Sequence, residues 1–178
     1  MAKTFDLNRA AIIGLGANLE NPLEMIREAV KRLNELPGMR LAAMSSIYLT
    51  EPQGGPEEQN WYHNAVAFFE TSLAPVRLLR SLMITEKAMG RKRLVRWGPR
   101  VIDMDFLAKG DLVVEAPPEL FLPHPRMHER LFVMAPLAEV APGWRHPILN
   151  QTAAELLARI PSEGQGLKKL EEEVSIPC

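Results

Sequence analysis

Apolar positions along this chain switch between two periods, and the switches mark its elements. Residues 10–15 form a short unbroken apolar run that reads as a buried strand, closed by a tight turn at Gly14 and Gly16. Helical spacing follows, with Leu23, Ile26, Val30 and Leu33. Asn21-Pro22-Leu23-Glu24 supplies an N-cap, a proline at the first helical position and a glutamate at the third, a capping-box-like start; Pro37-Gly38 ends the pattern. Segments 41–49 and 61–69 are rich in β-branched, aromatic and small residues and read as strands. Alternation along the second places Tyr62, Asn64, Val66 and Phe68 on one face. The intervening TEPQGGPEEQN is too long for a tight hairpin and too rich in Gly and Pro for regular structure, so a mobile loop is expected.

Helical spacing returns over 75–89, where Leu79, Leu82, Met83 and Met89 mark one face. Glu86 lies on that face, either reaching solvent at its edge or orienting one of the arginines that follow. Residues 101–107 read as a further strand, with 112–114 expected to pair with it across a Lys109-Gly110-Asp111 turn. A proline-rich stretch over 116–130 then crosses the surface ahead of an apolar segment at 131–140. Thr152 and Glu155 can box the start of a last helix carrying Leu156, Leu157 and Ile160. Beyond Pro161 the chain turns polar, and LKKLEEE reads as a frayed helix or a segment without order. Strands and helices alternate too loosely for a doubly wound sheet. The expected class is α+β, with helices on one face of a largely antiparallel sheet.

Composition narrows the function. At 47% hydrophobic and 24% charged, the 178 residues suit a packed globular domain and not a disordered chain. No apolar run approaches the roughly 20 residues that span a bilayer, and the first residues lack the apolar core of a secretory signal, so a cytoplasmic protein without a membrane partner is expected. Cys178 is the only cysteine, which excludes a disulfide scaffold and a cysteine metal cluster. A net charge of −1 offers no global field toward nucleic acid. Positive charge is instead concentrated in one segment: Arg91, Lys92, Arg93, Arg96 and Arg100 occur without an acid among them.

Directly after that segment, Asp103 and Asp105 stand two apart on a strand and therefore share a face, with Ile102, Met104 and Phe106 on the other. Two adjacent carboxylates repel unless solvated or bridged by a cation, and magnesium is commonly held by such a pair together with substrate phosphate oxygens. Guanidiniums beside them complete the chemistry of a nucleoside triphosphate site. No Gly-x-x-x-x-Gly-Lys-Ser/Thr loop is present, and GLGAN lacks the third glycine of a dinucleotide fingerprint. His124, between Pro123 and Pro125, sits on a stiffened loop; His63, His128 and His146 carry less signal. Two other classes share parts of this pattern. A nucleotidyltransferase also pairs Asp-x-Asp with metal, but the Gly-Ser element expected before such a strand is missing. An RNA-binding module could use Arg91 to Arg100 with Trp97 as a stacking platform, against which stand the acidic remainder and the two aspartates.

Taken together, Arg91, Arg93, the block RWGPRVIDMD at 96–105, and LPHPRMHERLFVMAPLAEVAP at 122–142 closely resemble the 6-hydroxymethyl-7,8-dihydropterin pyrophosphokinase family of folate biosynthesis. IIGLGANL and YLTEP…WYHNAV fit as well, and the match is collinear from about Ile12 to Pro142. The resemblance implies a ferredoxin-like core with mobile loops over the active site, and transfer of pyrophosphate from ATP to the pterin hydroxymethyl group with release of AMP. Carried over by position, Asp103 and Asp105 ligate two magnesium ions, and Arg91 and Arg100 assist transfer. Glu86, Arg93, Arg96, Trp97, Arg100, His124 and Arg130 contact ATP. Thr50, Pro52, Tyr62, Asn64, Trp97 and Phe132 form the pterin pocket. Ala17 stands where the family often has serine, and Glu51 and Gln53 flank Pro52 where the pterin-side loop varies. The implied organisation is one catalytic domain over 1–161 with a polar tail over 162–178, acting as a monomer on ATP and a reduced pterin.

Overall fold

Strand β1 (Ala11–Ala17) is buried along its whole length and forms the spine of the sheet. The computed structural model describes residues 6, 9–52, 59–91, 99–161 and 166–170. On one side β1 pairs with β4 (Tyr62–Thr71) and on the other with β5 (Asp103–Lys109), both antiparallel. The far edge of β4 is shared by β2 (Met39–Met44) and β3 (Tyr48–Thr50), and β8 (Leu167–Lys169) adds a strand outside β3. With α1 (Pro22–Asn34) between β1 and β2, and α2 (Pro75–Ala88) between β4 and β5, the order is the βαββαβ of a ferredoxin-like core.

Period-two alternation divides the sheet's apolar residues between two cores. Ala11, Ile13, Leu15, Ala67, Phe69, Met104 and Phe106 point to one side, where Ile26, Val30 and Leu33 of α1 and Leu78 and Leu82 of α2 cover them. Ile12, Val66, Phe68 and Leu107 point to the other and are covered by α3 (Leu131–Val140), α4 (Ala153–Leu157) and Trp144. The α+β class holds, but helices lie on both faces and not on one. The apolar segment at 131–140 is a helix although Pro136 lies inside it, and six of its ten residues, Pro136 among them, are buried.

Other departures from the sequence reading have local causes. The run 41–49 is two strands, since Ser45 interrupts it: its N–H donates to the Val66 carbonyl (2.9 Å) and its Oγ accepts from the Val66 N–H (3.0 Å). Gly14 and Gly16 lie within β1 and do not form a turn. Val114 does not pair with β5; it opens β6 (Val114–Ala116), which forms a hairpin with β7 (Leu120–Leu122). On α2 the buried stripe is Leu78, Leu82, Thr85 and Glu86, and Met83, one position round from Leu82, is exposed. Residues 167–169 of LKKLEEE are strand β8 and not a helix. Among the described residues no helix is long and apolar enough to cross a membrane.

Candidate active site

The second face of the sheet is only partly covered. Where α3 and α4 stop, it becomes the floor of a cleft of about 630 Å³. Two residue rows cross that floor: Asn64 on β4, Gly16 on β1 and Asp103 on β5 are in register, as are Val66, Gly14 and Asp105. A side chain at either glycine would be tight. A methyl on Gly16 would approach Asn64 Oδ1 to 3.1 Å, and one on Gly14 would approach the Leu107 side chain to 3.3 Å.

The β5 end of the cleft is a charge network. Asp103 takes the guanidiniums of two arginines, Arg91 on Oδ1 (2.8 Å) and Arg100 on Oδ2. Arg91 also pairs with Glu86, a buried carboxylate that accepts from the Met104 N–H at 2.6 Å. Of the two readings of Glu86, the structure thus favours the orienting one. Arg130 approaches Asp105 (3.5 Å) and lies over the Phe132 ring with its guanidinium carbon 5.7 Å from the ring centre. Burial, and secondly the charge of Asp103, push the Asp105 carboxyl up to about 6. A pair in which one carboxylate resists ionising is suited to a cation, and two carboxylates match the small protein contribution magnesium needs. Among the described residues no group of three or more His, Cys, Asp or Glu gathers as a metal cage.

At the β4 end the groups are neutral apart from Glu51. Asn64 Nδ2 donates to Thr50 Oγ1 at 2.7 Å, which leaves the amide oxygen turned toward Gly16. Tyr62 stands on the same face, half-buried, and Phe132 of α3 faces the cleft. On the β5 side, His124 lines the wall, its backbone N–H donating to the Leu107 carbonyl (2.7 Å), and burial followed by the charge of Arg130 lowers its pKa to about 4. Its Nδ1 accepts from the Arg126 N–H (3.1 Å), so the neutral ring carries its proton on Nε2 and can only donate from that side.

The structure therefore gathers Thr50, Tyr62, Asn64, Arg100, Asp103, Asp105, His124, Arg130 and Phe132 around one cleft. Arg91 and Glu86 stand behind it through Asp103. Pro52 is half-buried but does not line the wall, where Glu51 is found instead. Arg93, Arg96 and Trp97 lie outside the described residues, as does Gln53. Sequence reasoning missed Gly14 and Gly16, whose signal was Gly-x-Gly inside an apolar strand, and Arg126 on the rim. It also missed Asn18. This buried residue exchanges hydrogen bonds with the Arg100 backbone (3.1 Å to its carbonyl, 2.8 Å from its N–H) and donates to the Asn60 carbonyl (3.1 Å), fastening both ends of the cleft to β1.

Residues 12–142 match the family model described as 7,8-dihydro-6-hydroxymethylpterin-pyrophosphokinase (HPPK). The chain belongs to this family. The 2-amino-4-hydroxy-6-hydroxymethyldihydropteridine pyrophosphokinase of Pseudomonas aeruginosa is 42% identical over 152 residues, covering 85% of this chain and 92% of that protein. Its namesake from Haemophilus influenzae is 43% identical over 131 residues, covering 74% of this chain and 81% of the relative. Among solved structures, Plasmodium falciparum HPPK-DHPS aligns with a TM-score of 0.66 at 16% identity, covering 84% of this chain and 45% of that longer one. At that identity the likeness speaks for the fold.

Proposed function

We propose that this chain is the pyrophosphokinase of its family, transferring pyrophosphate from ATP to the hydroxymethyl group of 6-hydroxymethyl-7,8-dihydropterin with release of AMP. One observation carries the reading: Gly14 and Gly16 of β1 separate an aromatic and amide wall from a wall of paired aspartates and arginines. Two strand spacings set those walls about 10 Å apart, so a flat heterocycle on one and a triphosphate on the other can meet over β1.

In this reading Tyr62 and Phe132 bracket the pterin, and Asn64, held by Thr50, reads its polar edge. Asp103 and Asp105 hold magnesium, which when bound neutralises charge on the phosphate oxygens. Arg100 and Arg91 assist transfer, and Arg130 and the His124 Nε2–H contact phosphate. Glu86 supports the ATP side by holding Arg91, and Arg93, Arg96 and Trp97 are assigned to ATP with it. The pterin hydroxyl oxygen bonds to the β-phosphorus as the bond from that phosphorus to the α,β-bridging oxygen breaks, leaving AMP. Since His124 Nδ1 is occupied by Arg126, the hydroxyl proton passes to solvent or to a phosphate oxygen.

Incubating the protein with ATP, magnesium chloride and 6-hydroxymethyl-7,8-dihydropterin is expected to give AMP and the pterin diphosphate in equal amounts. ADP as the sole nucleotide product would sink the reading.

A further inference from the structure

The family match ends at residue 142, yet residues 166–170 return to the sheet beside the cleft. They pair with β3 in a register that puts Leu167 opposite Thr50, and the Glu51 N–H donates to the Gly166 carbonyl at 3.2 Å. Thr50 is the residue that holds Asn64, and Glu51 lines the wall. A strand of three residues bonded on one edge only is weakly held. Strand β8 gives β3 its second neighbour just where the chain leaves the sheet for residues 53–58.

The segment is itself fastened at several points. Lys169 Nζ pairs with Glu139 of α3 at 2.6 Å, and Glu139 also accepts from the Ser46 N–H (3.1 Å), the Ser46 hydroxyl (2.7 Å) and the Tyr48 hydroxyl (3.0 Å). The Leu170 N–H donates to the Ile47 carbonyl (2.8 Å), Leu167 packs on Tyr48, Leu131 and Ala135, and Leu170 packs on the first core. One contact is close. A Cβ on Gly166 would come within 2.8 Å of the Glu51 carboxyl carbon and Oε1. A side chain there would make the flexible end of Glu51 turn away from its place on the wall.

We infer that residues 166–170 are a positioning strap for the β3 and β4 side of the cleft, with Leu167 paired to Thr50 and Gly166 setting the place of Glu51. The strap touches no group at the carboxylate end, so it acts on one substrate and not the other. This rests on the function proposed above.

The test is Gly166→Val in the full chain, with Lys168→Ala as a control because Lys168 lies on the same strand with its side chain exposed. Gly166→Val is expected to raise KM for the pterin about fivefold or more while KM for ATP and kcat stay within about twofold, a pattern that general loosening does not produce. Lys168→Ala is expected to leave all three constants unchanged. Ending the chain after Pro161 removes the strap altogether and should give the same selective rise; where that chain does not fold, Gly166→Val decides. Unchanged constants in Gly166→Val, or equal rises for both substrates, overturn the inference. Absence of AMP formation by the parent protein would instead overturn the proposed function, so the two failures are distinguishable.

Discussion

Asp105 shows how a single side chain can be set against the stability of its own fold. Its carboxyl is moved from 3.8 to about 6, first by burial and then by Asp103. Between those values the folded protein holds a proton that the unfolded chain releases, so stability falls as pH rises through the window and the cost is complete above about 6. Asp105→Asn should therefore raise the unfolding temperature of the ligand-free protein at pH about 7.5, with the difference shrinking toward pH about 4. On the proposed function, the same variant should lose turnover by orders of magnitude at every pH, since it removes one of the two carboxylates proposed to hold the metal. A variant less stable than the parent at the higher pH would mean that the carboxylate is not strained. Alternation along one strand was enough to predict that Asp103 and Asp105 share a face. The pairing of Glu86 with Arg91 stayed open in the sequence, because helical spacing gives a residue's face and not what the chain five residues later folds back to meet.

Elements divide according to whether their signals are local. Thr152 and Glu155 form the expected capping box, the Thr152 Oγ accepting from the Glu155 N–H (3.2 Å) and the Glu155 carboxylate from the Thr152 N–H (2.7 Å). At α1 the same residue pattern does not close: Asn21 makes no side-chain cap and Glu24 pairs with Arg27 at 2.7 Å. Thr152→Ala should then cost about 1 kcal/mol, read from denaturant unfolding, whereas Asn21→Ala should cost a few tenths at most. Equal losses would show that the α1 box does form in solution. Segments whose structure depends on distant partners were the ones misread. Ser45 breaks 41–49 only because Val66 is opposite it, and 167–169 becomes a strand only because β3 offers an open edge. Nothing within those segments distinguishes them from a continuous strand or a polar tail.

At the scale of the whole molecule, the sheet acts as a ruler whose middle division has been left blank. Burial on both faces would normally favour side chains throughout β1, yet Gly16 stands between Asn64 and Asp103. Gly16→Ala separates the needs of the fold from those of the cleft. Alanine in a strand interior is favoured over glycine by roughly 0.5–1 kcal/mol, so the variant should be at least as resistant to heat as the parent. Its methyl, however, would lie 3.1 Å from Asn64 Oδ1, and the amide cannot draw back from β1 without crowding Thr50, to which it is already bonded at 2.7 Å on the β3 side. Pterin binding should then weaken about tenfold, near 1.4 kcal/mol, with ATP affected less because the proposed function puts its groups on the β5 side of the blank. Thermal unfolding and the two KM values, measured on one preparation, check this. An unchanged KM for the pterin would place that substrate off the row of Asn64, Gly16 and Asp103, and the 10 Å spacing that supports the proposed reaction would lose its meaning.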